Sequence, residues 1–109
     1  MSELSLSAEK HLSQLSALQS LLSASSGAAI LEHNYCLLLM GSFTVVVGTA
    51  HRRLRFAWDG REYFLNVEQC TCTSQSSPQE WTQSDNIGIR PPKSVWPVIQ
   101  EKCRLAFSA

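Results

Sequence analysis

Cys70 and Cys72 are separated by one residue, and on a β-strand that spacing turns both thiols to one face. Two thiolates on one face can share a soft metal such as zinc, with Cys36, Cys103 and His51 as completing ligands. Structural zinc sites, however, usually place two residues between paired cysteines and use a second close pair, which this chain lacks. The dithiol also lacks the spacing and helix start that depress a thiol pKa in redox motifs. The cysteines therefore read first as small reduced hydrophobes. Cys70 and Cys72 remain weak metal candidates, and no cofactor is expected.

His51-Arg52-Arg53-Leu54-Arg55 is the densest basic cluster, and with Arg61 it is the place where phosphate would be gripped. Strand alternation splits it, with Arg53 and Arg55 on one face and Arg52 on the other. Glu62 and Glu68 are expected diagonal to Arg55 and Arg53, where they would neutralise the patch. A charge-balanced strand face fits better than a nucleic-acid surface. Catalytic patterns are absent: there is no nucleophile elbow, paired-histidine spacing or glycine-rich phosphate loop. The three histidines fall in separate elements, and His11 reads as a boundary residue at the edge of a helical stripe. Asp59 is explained by a turn and Asp85 by local capping in a polar loop. An enzyme is disfavoured.

The whole chain must supply the framework for these residues. It has 109 residues, nine Lys+Arg against nine Asp+Glu, 44% hydrophobic and 17% charged residues. That suits one domain over 1–109, with enough apolar content for a core and too little net charge for disorder or general phosphate binding. Zero net charge favours self-association. The start MSELSLSAEK lacks a basic n-region and an apolar core, so it does not read as a secretory signal. Reduced cysteines and a cytoplasmic setting follow as expectations. Asn34 to Ala50 is uncharged and has a basic flank, but it is short for a membrane span and carries Gly41-Ser42 between β-rich runs. A hairpin fits better.

Leu4, Ala8, Leu12, Leu15, Leu18 and Leu22 recur at helical spacing, with Ser7 a candidate N-cap and Ser23 to Gly27 the stop. Residues 29–40 read as a strand, with a second helix as the rival. A type II′ turn at Gly41-Ser42 would pair Met40 with Phe43, Leu38 with Val45 and Cys36 with Val47. Asp59-Gly60 suggests a type I′ hairpin that pairs Trp58 with Arg61, Phe56 with Tyr63 and Leu54 with Leu65. Residues 73–93 are polar, with a possible short edge strand at 86–90. Ser94 caps a last helix whose stripe is Trp96, Ile99, Cys103 and Phe107.

The predicted fold is α+β: an N-terminal helix, an antiparallel four-to-five-strand meander and a C-terminal helix, with both helices on one sheet face. The other face is then left partly open and partly apolar, carrying Phe64, Cys70 and Cys72, and its cover is the 73–93 loop with Trp81, a second copy, or a foreign partner or ligand. The expected function is a non-enzymatic protein-binding module, self-associating as a homodimer. Phe64, Trp81, Arg53 and Arg55 are its contact residues, because Trp and Arg dominate interface energies. The alternative is a small apolar ligand in a pocket between sheet and helices, lined by Trp58, Tyr63 and Trp96.

Overall fold

The structure, a computed structural model, describes residues 3–25, 27–36, 38, 41–49, 51–71 and 80–107. Helix α1 (Glu3–Ser25) begins before the expected cap, so Ser7 lies inside it. The stripe it buries is His11, Leu15, Leu18 and Leu22, with Leu21 partly buried. Leu12, read as part of that stripe, is 58% exposed. His11 is the residue that completes the three- and four-residue steps up to Leu22. The side chains of Leu4 and Ala8 lie outside the described ones.

Five antiparallel strands follow as a meander in the order β1-β2-β3-β4-β5. They are β1 (Ala29–Cys36), β2 (Ser42–Gly48), β3 (Arg52–Asp59), β4 (Phe64–Thr71) and β5 (Thr82–Gly88). Residues 29–36 are thus strand, and the helical rival for this region is wrong. Both expected hairpin registers are also corrected. In the first, Cys36 pairs with Ser42 and Tyr35 with Phe43, not Cys36 with Val47. The slip is five residues. An odd slip exchanges the faces, so Tyr35 turns inward and Cys36 outward. The turn is longer than two residues, and Gly41 adopts φ 78° at its end. Leu38 is 94% exposed there, while Met40 lies outside the described residues.

In the second hairpin Trp58 pairs with Leu65, not Arg61, a slip of four. An even slip keeps the inward set Leu54, Phe56 and Trp58 inward. The type I′ reading fails because Gly60 does not take a positive φ; the positive φ of the loop is at Tyr63, 61°. Asp59 builds this wider loop. Its carboxylate accepts from the Arg61 and Glu62 amides at 2.9 and 3.1 Å, and its carbonyl accepts from the Tyr63 amide at 2.9 Å.

Between β2 and β3 the backbones nearly touch. A Cβ on Gly48 would lie 2.4 Å from the Arg52 carbonyl oxygen and 2.9 Å from Arg53 Cα. The fifth strand starts earlier than expected, at Thr82, so Asp85 sits in a strand and not in a loop.

Helix α2 (Trp96–Phe107) forms as its sequence dictates. Ser94 Oγ accepts from the Trp96 amide at 3.3 Å, and Trp96, Ile99, Cys103 and Phe107 are buried. Both helices share one core with Phe43, Val45, Val47, Leu54, Phe56, Leu65 and Val67, the inward side chains of β2, β3 and β4. Both therefore lie on the same face of the sheet, as the pattern predicted. Among the described residues, no helix lies on the other face. No described helix is long and apolar enough to cross a membrane.

Candidate functional site

Strand alternation fixes what the uncovered face displays. One continuous row crosses all five strands: Asn34 pairs with Thr44, Thr44 with Ala57, Ala57 with Asn66, and Asn66 with Asn86. At about 4.8 Å per strand the row is about 19 Å long. It is neutral, with three carboxamides, a hydroxyl and a methyl. Its small central members, Thr44 and Ala57, leave a depression between taller neighbours. The depression has a volume of about 810 Å³, is rimmed by Asp59, Arg61 and Glu62 and is flanked by Phe64. Phe64 is 46% exposed. Asn66 Oδ1 is buried and has no hydrogen-bond partner.

A second row lies one step along the strands, where Val46 pairs with Arg55 and Arg55 with Glu68. Arg55 bonds Glu68 through Nε at 2.9 Å and Nη2 at 2.8 Å. The register slip thus sets Glu68 directly opposite Arg55, where Glu62 was expected on the diagonal and Glu68 beside Arg53. The Arg55 guanidinium lies 4.4 Å from the Trp81 ring centroid, a cation–π stack that holds Trp81 over this face. Arg53 pairs with buried Cys70 on the same face, and its Nε is buried without a partner. The structure therefore places Phe64, Trp81, Arg53 and Arg55 on one face.

The face is more polar than the sequence suggested. The odd slip in the first hairpin brings Glu32 and Asn34 to it where leucines were expected. Arg52, on the other side of its strand, donates from Nη1 to the Ala106 carbonyl at the end of α2, 3.2 Å away. Two members of the basic cluster are thus engaged separately, Arg52 at a helix terminus and Arg55 in an ion pair.

Cys72 lies outside the described residues, so its placement beside Cys70 is not part of the structure. No group of three His, Cys, Asp or Glu side chains that could hold a metal occurs among the described residues. Cys103 is fully buried, and burial pushes its thiol pKa up to about 12. Asp85 is held below the usual carboxylate range by Lys102, which donates to it at 2.8 Å, and by the Asn86 amide. This bridge fastens α2 to the β5 edge.

The predicted pocket residues separate. Trp58 and Trp96 line a cleft of about 400 Å³ bounded by the middle of α1, the ends of β1 and β3, the start of β2 and the start of α2. Tyr63 does not line it, and instead packs edge-tilted on Trp58 with ring centroids 6.4 Å apart. The cleft's remaining aromatic surface comes from residues that the sequence did not assign to a pocket: His11, Tyr35 and Phe43. His11 stacks on Tyr35 at 4.4 Å, and Phe43 stacks on Trp96 at 4.8 Å. His11 is only 6% exposed, and its Nε2 is buried without a hydrogen-bond partner. Its pKa lies below the ordinary imidazole value, first because burial disfavours the charged ring and second because of His33. The signal that could have found it is the helical step from His11 to Leu15, Leu18 and Leu22. The asparagine row had no such signal, because it exists only once four registers are fixed.

The chain matches no family model, and comparison with curated proteins and with solved structures finds no match for it.

Proposed function

We propose that this protein is a non-enzymatic binding module whose uncovered sheet face takes a protein partner, the partner being a second copy of the chain. The observation that carries this reading is the neutral Asn34–Thr44–Ala57–Asn66–Asn86 row beside exposed Phe64, on a face that no described helix covers. A carboxamide both donates and accepts, so a row of them is complementary to its own copy about a two-fold axis. Phe64 supplies the apolar anchor that such contacts need, and Asn66 Oδ1 is an acceptor still awaiting a donor. Five strands of this length present a flat area on the order of 450 Å² per copy, so a pair buries roughly 900 Å² before side-chain relief is counted. That is close to the size at which specific contacts begin.

Exposed Leu12, Leu31, Leu38 and Leu105 do not carry the same reading. Scattered single apolar residues are ordinary on a protein surface. A reducing, cytoplasmic compartment fits the buried thiols Cys70 and Cys103.

Native mass spectrometry tests the proposal. The wild type is expected at the dimer mass at micromolar concentration. Ala57→Glu puts a carboxylate on the floor of the depression and is expected to give monomer. A wild type that stays monomeric up to about 100 μM would sink the self-association.

A further inference from the structure

We infer that the cleft over His11 is a second binding site, for a planar aromatic ring bearing a carboxylate. Three observations meet there. The walls are aromatic on several sides, with Tyr35 and Phe43 from the sheet, Trp58 beside them and Trp96 from the first turn of α2. Such walls take a flat ring by stacking and edge contact. In the floor is His11, a side chain more than nine-tenths buried whose Nε2 has no hydrogen-bond partner. Buried polar atoms in folded proteins are nearly always paired, and one that is not, in a side chain that lines an open cleft, marks a place where a partner from outside is missing. With its proton on Nε2, the neutral ring donates, and a carboxylate oxygen is the acceptor it lacks.

The charge of the ligand follows from the rim. Lys10 and Lys93 line the cleft, together with Gln14 and Ser94, and none of the described lining residues carries a carboxylate. The rim is therefore cationic although the chain as a whole has no net charge. A cationic ring would meet two ammonium groups and gain no ion pair, and a neutral ring would leave both lysines without a counter-charge. The cleft's volume of about 400 Å³ admits a one- or two-ring molecule. It lies on the helix side of the sheet, and of its lining only Phe43 and Trp58 also border the depression on the proposed contact face.

Three probes with one ring system separate the possibilities: naphthalene-2-carboxylate, 2-naphthylmethanol and 2-naphthylmethylammonium. Binding is read by intrinsic tryptophan emission, since Trp58 and Trp96 both line the cleft, and by the imidazole resonances of His11. The carboxylate is expected to saturate and to bind at least about tenfold more tightly than the alcohol, with the ammonium weaker still. Lys93→Glu, at an exposed position, is expected to remove most of that preference while leaving the fold intact. His11→Phe keeps an aromatic ring in the floor and is expected to lose carboxylate binding but retain the alcohol. Ala57→Glu, on the other face, should change nothing. Equal binding of all three probes, no saturable binding of the carboxylate, or an unchanged preference in Lys93→Glu would overturn the assignment.

Discussion

The two faces of this sheet are built from the same strands and differ only in the parity of their residues. On the helix side the rows read Phe43, Trp58, Leu65, Ile87 and Val45, Phe56, Val67. On the other side the neighbouring row reads Asn34, Thr44, Ala57, Asn66, Asn86. Phe56 is wholly buried, whereas Phe64, the aromatic residue of the same strand pair on the opposite face, is 46% exposed. The first face is filled by α1 and α2 and accounts for folding. The second satisfies its backbone within the sheet but leaves side-chain hydrogen-bonding capacity unspent. A sheet needs only one apolar face to fold. What is displayed on the other is free to be set by binding.

The sharpest way to break this contrast is to truncate the same residue type on each side. Phe56→Ala is expected to cost about 3–5 kcal/mol, because it opens a cavity against both helices. Phe64→Ala should cost only about 1 kcal/mol in the monomer, since only about half of its surface leaves water there. Urea denaturation of both variants measures the difference, and similar losses would mean that the uncovered face is covered in solution.

Gly48→Ala probes the joint between the faces. Its Cβ would fall 2.4 Å from the Arg52 oxygen, so β2 and β3 must separate. A loss of about 2 kcal/mol or more is expected from that backbone clash, measured as a lowered Tm. Retention of wild-type stability would show that the strands are not as close as described.

A smaller effect concerns His11. Its folded pKa lies below the unfolded one, so the unfolded chain takes up the proton more readily. Stability is then fully present above about pH 6.5 and declines as pH falls through the lower folded value. His33 adds to this by like-charge repulsion. Asp85 and Glu101 are also depressed, but they lose their contributions only in the carboxylate range, at lower pH. Denaturation series between pH 7.5 and about 5 should therefore slope in the wild type and flatten in His11→Phe. Equal slopes in the two proteins would contradict the burial of an uncharged His11. The smallest effect is expected at the partly exposed Arg55–Glu68 pair, where Glu68→Gln should cost under about 1 kcal/mol and fade with added salt.

The element types were legible in the sequence, because they rest on local chemistry. Ser94 and the stripe Trp96, Ile99, Cys103, Phe107 specify α2 from neighbouring residues alone. The α+β order and the siding of both helices followed from the same signals. The registers were not legible. Gly41-Ser42 and Asp59-Gly60 look like two-residue turns, but turn type depends on which residue takes positive φ, and here Gly41 and Tyr63 do so. A slip of four at the second turn was harmless to the faces, whereas a slip of five at the first exchanged them. That is why Trp58 was correctly set inward while Tyr35 and the asparagine row were missed. His11 was passed over because a histidine at the edge of a leucine stripe looks like a boundary residue until Tyr35, Phe43 and Trp96 close around it.

The central claim is that the uncovered face, and not exposed apolar surface in general, takes the second copy. Sedimentation equilibrium of the wild type, Phe64→Glu and Leu105→Glu tests it directly, because Leu105 is 64% exposed on α2 and is therefore the equivalent change on the helix side. The account predicts a dimer for the wild type and for Leu105→Glu, and a monomer for Phe64→Glu. A dimer that survives Phe64→Glu but is lost in Leu105→Glu would contradict it.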